Sequence, residues 1–175
     1  MNTTILGALA AATLLTTSID SGLSVGEITT PFHPTHVSGP DKGTKNCPPC
    51  TYGNRPAVRV WVNGDDSKNV ASIAKLLHES VEGNMASEFK GFVIFLSGQA
   101  DAEALAKETG YEDIASTFIA KDSKAVAAYK INLDPEVKNT ILVYKDKKVS
   151  AKFVNFVADK NGLAELTGAI DAIAN

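Results

Sequence analysis

Ala57-Val58-Arg59-Val60-Trp61-Val62, running straight into Asn63-Gly64-Asp65-Asp66-Ser67, is the stretch on which the reading of the fold turns. The first six residues are rich in β-branched and aromatic side chains and predict a strand. The next five break it and offer several side chains able to cap a helix N-terminus. Beyond them Val70, Ile73, Ala74, Leu77 and Val81 recur at helical spacing, which predicts a helix with one apolar face. Phe89 to Ser97 follows, and its apolar run Phe92-Val93-Ile94-Phe95-Leu96 is nearly unbroken, as in a strand covered on both faces.

Working downstream, Asp101 to Thr109 reads as a second helix stopped by Gly110. Thr117 to Ala120 reads as a third strand, and Lys124 to Ile131 as a short helix or turn. Asn139–Tyr144 and Val149–Phe156 are two strands joined by the charged turn Lys145-Asp146-Lys147-Lys148, a hairpin. Asn161 is expected to cap the last helix, whose core face carries Leu163, Leu166, Ile170 and Ile173. Upstream, Pro56 fits the place just before a strand. His33 to Val37 is short and β-compatible, and Leu23 to Phe32 leads into the domain through a turn at Gly26. The order strand, helix, strand, helix, strand, hairpin, helix predicts an α/β domain over residues 23–175, a mixed sheet covered by helices.

The totals fit one domain: 175 residues, 44% hydrophobic and 21% charged. Seventeen Lys and Arg against twenty Asp and Glu leave a net charge of -3, with no basic run to neutralise a row of phosphates, so nucleic acid is excluded as a partner. Met1 to Leu15 is an apolar block far shorter than the ~20 residues of a membrane span. Residues 1–22 therefore read as a secretory signal peptide, although no Lys or Arg precedes the block. Cleavage is expected between Ser18 and Ser24, giving an extracytoplasmic protein, periplasmic or secreted, that keeps no stable membrane insertion. In such a compartment disulfides persist.

Cys47-Pro48-Pro49-Cys50 holds both cysteines of the chain. Two thiols at this spacing can exchange with other thiols, form a structural bridge, or bind a soft metal. A residue before proline avoids the α region, so Cys47 and Pro48 are both expected to be extended. Closing the disulfide then costs Pro48 that conformation or makes Pro49 cis. With no N–H on either proline, few amide donors are expected near Cys47, and Lys42, Lys45 and Arg55 are the nearby cations. His33 and His36 lie ahead of the cysteines, and the four side chains together would make a tetrahedral zinc or copper site. His78 reads as a surface residue, Trp61 as core, and Asp65-Asp66 as helix-start residues. The sequence carries no signature of an organic cofactor and names no oligomeric state.

From Leu23 to the C-terminus the chain resembles the thioredoxin-like superfamily, of the peroxiredoxin and extracytoplasmic thioredoxin type. The resemblance rests on Val25-Gly26-Glu27 leading to Phe32, on the strand ending at Val62 and followed directly by a helix, and on the Asn139–Phe156 hairpin with its closing helix. It implies a three-layer sandwich and thiol–disulfide exchange with protein thiols or disulfides, Cys47 attacking and Cys50 resolving. In that superfamily the reactive cysteine stands at the start of the helix after the first central strand. Here that place is Gly64-Asp65-Asp66-Ser67. A cis-proline beside that thiol ordinarily precedes the hairpin strand, where this chain has Asn139 before Thr140. Both departures fall on one site, so the usual peroxiredoxin activity is not expected. The Cys-x-x-Cys has moved to the opposite end of the strand, and a scaffold retained as a non-catalytic binding domain stays open beside the exchange and metal readings.

Overall fold

The computed structural model describes residues 19–174, so the apolar block of the expected signal peptide lies outside the described residues. In chain order the elements are β1 (Thr35–His36), α1 (Pro48–Tyr52), β2 (Ala57–Val62), α2 (Ser67–Gly83), a 3-10 turn (Met85–Ser87), β3 (Lys90–Phe95), α3 (Gln99–Thr109), β4 (Ala115–Phe118), α4 (Lys124–Ala128), β5 (Asn139–Lys145), β6 (Lys148–Val154) and α5 (Lys160–Ala174). They form a six-stranded sheet in the order β1-β4-β3-β2-β5-β6. Strands β2, β3 and β4 are parallel, while β5 runs antiparallel to β2, β6 to β5 and β1 to β4. The sheet is mixed, as the element order predicts.

Every residue of β2 is buried, and its alternation divides the core. Val58, Val60 and Val62 face the layer built by α2, α3 and α5, where they meet Ile73, Leu77, Leu105 and Leu166. Each such side chain contributes roughly 1.5–3 kcal/mol by leaving water. Ala57 and Trp61 face the other layer with Phe32, Tyr52, Phe92, Val126 and Tyr129. Helices on both faces of the sheet make the three-layer sandwich. The hairpin turns on Asp146 and Lys147, both at positive φ (53° and 62°), as a two-residue connection between twisted strands demands.

Several boundaries differ from the sequence reading. Strand β4 begins at Ala115, two residues before the expected Thr117. Small residues are required there, because a Cβ on Gly39 would lie 2.7 Å from the Ala115 Cα. Ser38 clamps that contact by donating to the Ile114 carbonyl and accepting from the Ser116 N–H. Helix α3 starts at Gln99 rather than Asp101. Asp159, not Asn161, caps α5: its carboxylate accepts the N–H groups of Asn161 at 3.0 Å and Gly162 at 2.8 Å.

Residues 20–22 pack against the domain. The Ser21 hydroxyl lies 2.6 Å from that of Thr140, the Gly22 N–H donates to the Lys130 carbonyl at 2.9 Å, and Lys152 bonds the Asp20 carboxylate. Gly22 is pressed close to β5, since a Cβ there would meet Thr140 Cγ2 at 2.7 Å.

Candidate functional site

The C-terminal end of β2 carries no thiol and is closed by hydrogen bonds. Asp66 caps α2, accepting from the Lys68 and Asn69 N–H groups at 3.0 and 3.3 Å. Asp65 accepts from the amides of Asn69 at 2.7 Å and of Asn139 at 2.6 Å. Both amides also donate to the Phe156 carbonyl, while the side-chain oxygens of Asn139 and Asn69 accept from Phe156 and Ala158 N–H groups. The two positions at which the sequence departs from the superfamily thus touch each other. Asp65, Asn69 and Asn139 together bind the start of α2 to the far end of the hairpin. A shallow cleft of about 440 Å³ remains beside them.

The cysteines stand at the other end, on α1, where the chain approaches β2. Cys47 is extended (φ -90°, ψ 105°) and serves as the N-cap of this five-residue helix. Pro48 and Pro49 take the first helical positions, where a missing N–H leaves nothing unpaired. Pro48 thus gives up the extended conformation, the first of the two routes expected for a closed disulfide, while Cys47 keeps it, and no cis peptide bond occurs among the described residues. The physical reason is tertiary. Pro48, Pro49 and Tyr52 are all buried, and the Tyr52 ring meets Phe92 edge-on at 5.6 Å, so packing of the helical turn outweighs the local preference. Helical turning brings the two cysteine Cα atoms to 5.2 Å, and their sulfurs are bonded to each other.

One amide donor reaches the Cys47 sulfur. The Cys50 N–H lies 3.2 Å from its sulfur and 3.0 Å from its carbonyl oxygen. Cys47 itself is only 6% exposed, whereas Cys50 faces solvent. Arg55 is engaged by Glu88 at 2.8 Å, which holds that carboxyl below its ordinary range. Lys42 and Lys45 are exposed.

The histidines organise the approach to the cysteines. His33 Nδ1 is 3.0 Å from the Lys45 carbonyl and His36 Nε2 is 3.1 Å from that of Asn46. A carbonyl can only accept, so each of these nitrogens carries the proton. The tetrahedral set of His33, His36, Cys47 and Cys50 is not assembled: one nitrogen of each ring is turned to the backbone and the sulfurs are joined. No three His, Cys, Asp or Glu side chains among the described residues come together in a way that could hold a metal. His78 is more than a surface residue, because it bonds Asp113 at 2.9 Å and stacks on Tyr111.

Sequence reasoning missed Arg59. It is wholly buried, and its guanidinium carbon sits 4.4 to 5.6 Å from the ring centres of Tyr144, Tyr129, Phe92 and Phe32. Neither its nitrogens nor the Tyr144 hydroxyl makes a hydrogen bond of good geometry, although the guanidinium lies close enough to the phenol oxygen to act on it. Burial pushes the Tyr144 phenol above its ordinary range, and the Arg59 charge works against that rise. A charged residue amid strand alternation was the available signal. Phe92 touches both Arg59 and Tyr52, so this cage forms the floor beneath α1.

No family model matches the sequence, and no curated protein matches it. Solved structures do. A protein assigned as the thiol:disulfide interchange protein DsbE of Chlorobium tepidum superposes with a TM-score of 0.68 at 13% identity, over 87% of this chain and 99% of that one. One assigned as a protein disulfide isomerase of Bacteroides thetaiotaomicron gives 0.64 at 15%, over 89% and 94%. The peroxidoxin BcpB of Mycobacterium tuberculosis gives 0.61 at 14%, over 85% and 97%. With the strand order and the helical layers already described, these likenesses identify the fold of this chain as thioredoxin-like.

Proposed function

We propose that this is an exported thiol–disulfide exchange protein whose redox couple is Cys47–Cys50. The observation that carries the reading is a disulfide with one sulfur-bearing residue in solvent, in a chain with no other cysteine. Proteins sharing the fold bear names of thiol:disulfide interchange. As a staple the bond is weak: it closes so short a loop that chain entropy yields only about 2 kcal/mol. Its partners are protein thiols or disulfides. Peroxide reduction by the peroxiredoxin route has no thiol to use at Gly64 to Ser67.

The test is equilibration of the purified protein over a series of reduced to oxidised glutathione ratios, with free thiols then alkylated and counted by mass. The expected outcome is a two-electron transition above roughly −300 mV, the value below which structural bridges lie. A pair that stays oxidised across the whole series makes the bond a structural one.

Export is supported by the apolar block at Ile5 to Leu15. Packing of Asp20, Ser21 and Gly22 against the domain supports a cleavage site at the start of the expected window, before Asp20. N-terminal sequencing of exported material should return Ile19 or Asp20 as the first residue. A start at Leu23 would show that the Ser21 contacts are dispensable, and intact Met1 on cytoplasmic protein would remove the export reading.

A further inference from the structure

The two sulfurs of the bridge have different surroundings, and the difference runs opposite to the order that the superfamily resemblance implies. Cys47 is buried ahead of two buried prolines, and the Cys50 N–H points at its sulfur from 3.2 Å. Cys50 is exposed, as is Thr51 beside it. A thiolate attacks a disulfide in line with the S–S bond, from the side away from the sulfur that leaves. Cys50 is the exposed partner of the bond, whereas Cys47, 6% exposed, offers an incoming thiolate far less surface.

We propose that Cys50 is the sulfur that bonds to the partner and that Cys47 is the one that leaves, an assignment that rests on the exchange reading above. A partner thiolate attacks Cys50 Sγ. A new S–S bond joins the partner to Cys50 as the Cys47–Cys50 bond breaks, and its electron pair departs on Cys47. The Cys50 N–H already faces that sulfur and receives the developing charge, which water then protonates. A second thiolate of the same partner attacks the partner's own sulfur in the mixed disulfide and expels Cys50 as a thiolate. The partner has lost two electrons and the pair has gained them. In the reverse direction Cys50 opens a partner disulfide, and Cys47 resolves the product by attacking Cys50.

Glutathione is the probe. Oxidised wild-type protein is mixed with reduced glutathione, quenched with acid at short times, digested, and mapped by fragment ions across the peptide that holds both cysteines. Glutathione is expected on Cys50, with Cys47 free, in at least tenfold excess over the opposite arrangement. A second measurement uses the reduced variants Cys47→Ser and Cys50→Ser with oxidised glutathione. Serine at 47 keeps a capping oxygen for α1, and this variant, which retains Cys50, is expected to take up glutathione at least tenfold faster than the other. In guanidinium the ratio should fall to near one, because the fold creates it. Glutathione mainly on Cys47, or equal uptake by the two folded variants, overturns the assignment while leaving exchange intact. A bridge that yields no mixed disulfide on either sulfur overturns the exchange reading and the assignment with it.

Discussion

The C-terminal end of β2 and the end from which the chain enters it through α1 have opposite characters. At the first, Asp65, Asn69 and Asn139 satisfy one another and the Phe156 and Ala158 backbone. At the second, Cys50 stands in solvent on a helix whose other side rests on an aromatic floor. A fold of this type can therefore close one end of its central strand with a polar network and carry a disulfide at the other. At the first end, α2 is bound to the hairpin. Three amide and carboxylate side chains hold it there.

The largest test of the contrast falls on the floor beneath α1. Arg59→Ala empties the centre of the cage and should cost about 3–5 kcal/mol, as large-to-small core changes do. Arg59→Met fills most of the volume while removing an unpaired buried charge, and is expected within about 1 kcal/mol of wild type, since apolar replacement of buried charge is often neutral or better. Urea unfolding of both variants decides the matter. A methionine variant as weak as the alanine one would mean that the guanidinium charge itself holds the cage together.

Next in size is Asn139→Ala. It removes two donated bonds and leaves the buried Phe156 N–H without its acceptor, for an expected loss of about 2–3 kcal/mol. Exchange at Cys47–Cys50 should stay within about twofold of wild type, because the network lies at the far end of the strand. A large fall in the glutathione exchange rate of a still-folded Asn139→Ala protein would show that the two ends are coupled after all.

Per phenol and pH unit, the smallest effect is alkaline. Burial raises the Tyr144 and Tyr52 phenols above their unfolded value of 10.0. The native state thus holds these protons after the unfolded chain has released them. Stability is complete below pH 10 and falls as the pH rises toward the native values, by about 1.4 kcal/mol per pH unit for each phenol. Thermal melts followed from pH 8 to 11.5 should show this decline, with Tyr144→Phe flattening it. Phenolate absorbance that grows in while the protein remains folded would place these hydroxyls in contact with water.

The sequence was informative wherever a short-range pattern carries the physics. Alternation at Ala57 to Val62, helical spacing from Val70 to Leu77, the charged hairpin turn and Asp66 at a helix start are each decided within a few residues. The vacancy at Gly64 to Ser67 and the substitution at Asn139 were likewise visible as two local departures. Where local preference met long-range packing, the local preference gave way. Pro48 is helical where α1 packs Tyr52 against Phe92, and β4 starts at Ala115, against whose backbone Gly39 lies too close to carry a side chain.

By itself, then, the amino-acid order determined the main strands and helices from β2 to α5, the face each presents, the single pair of cysteines and the absence of a thiol after β2. Tertiary structure alone decided that Asn139 reaches Asp65 across 74 residues, that Arg59 lies within rings drawn from Phe32, Phe92, Tyr129 and Tyr144, and that Cys47 is covered while Cys50 is not. A periodic pattern reports which side of an element is apolar. What lies against that side, and therefore which sulfur water and a partner can reach, is set by residues far away in the chain.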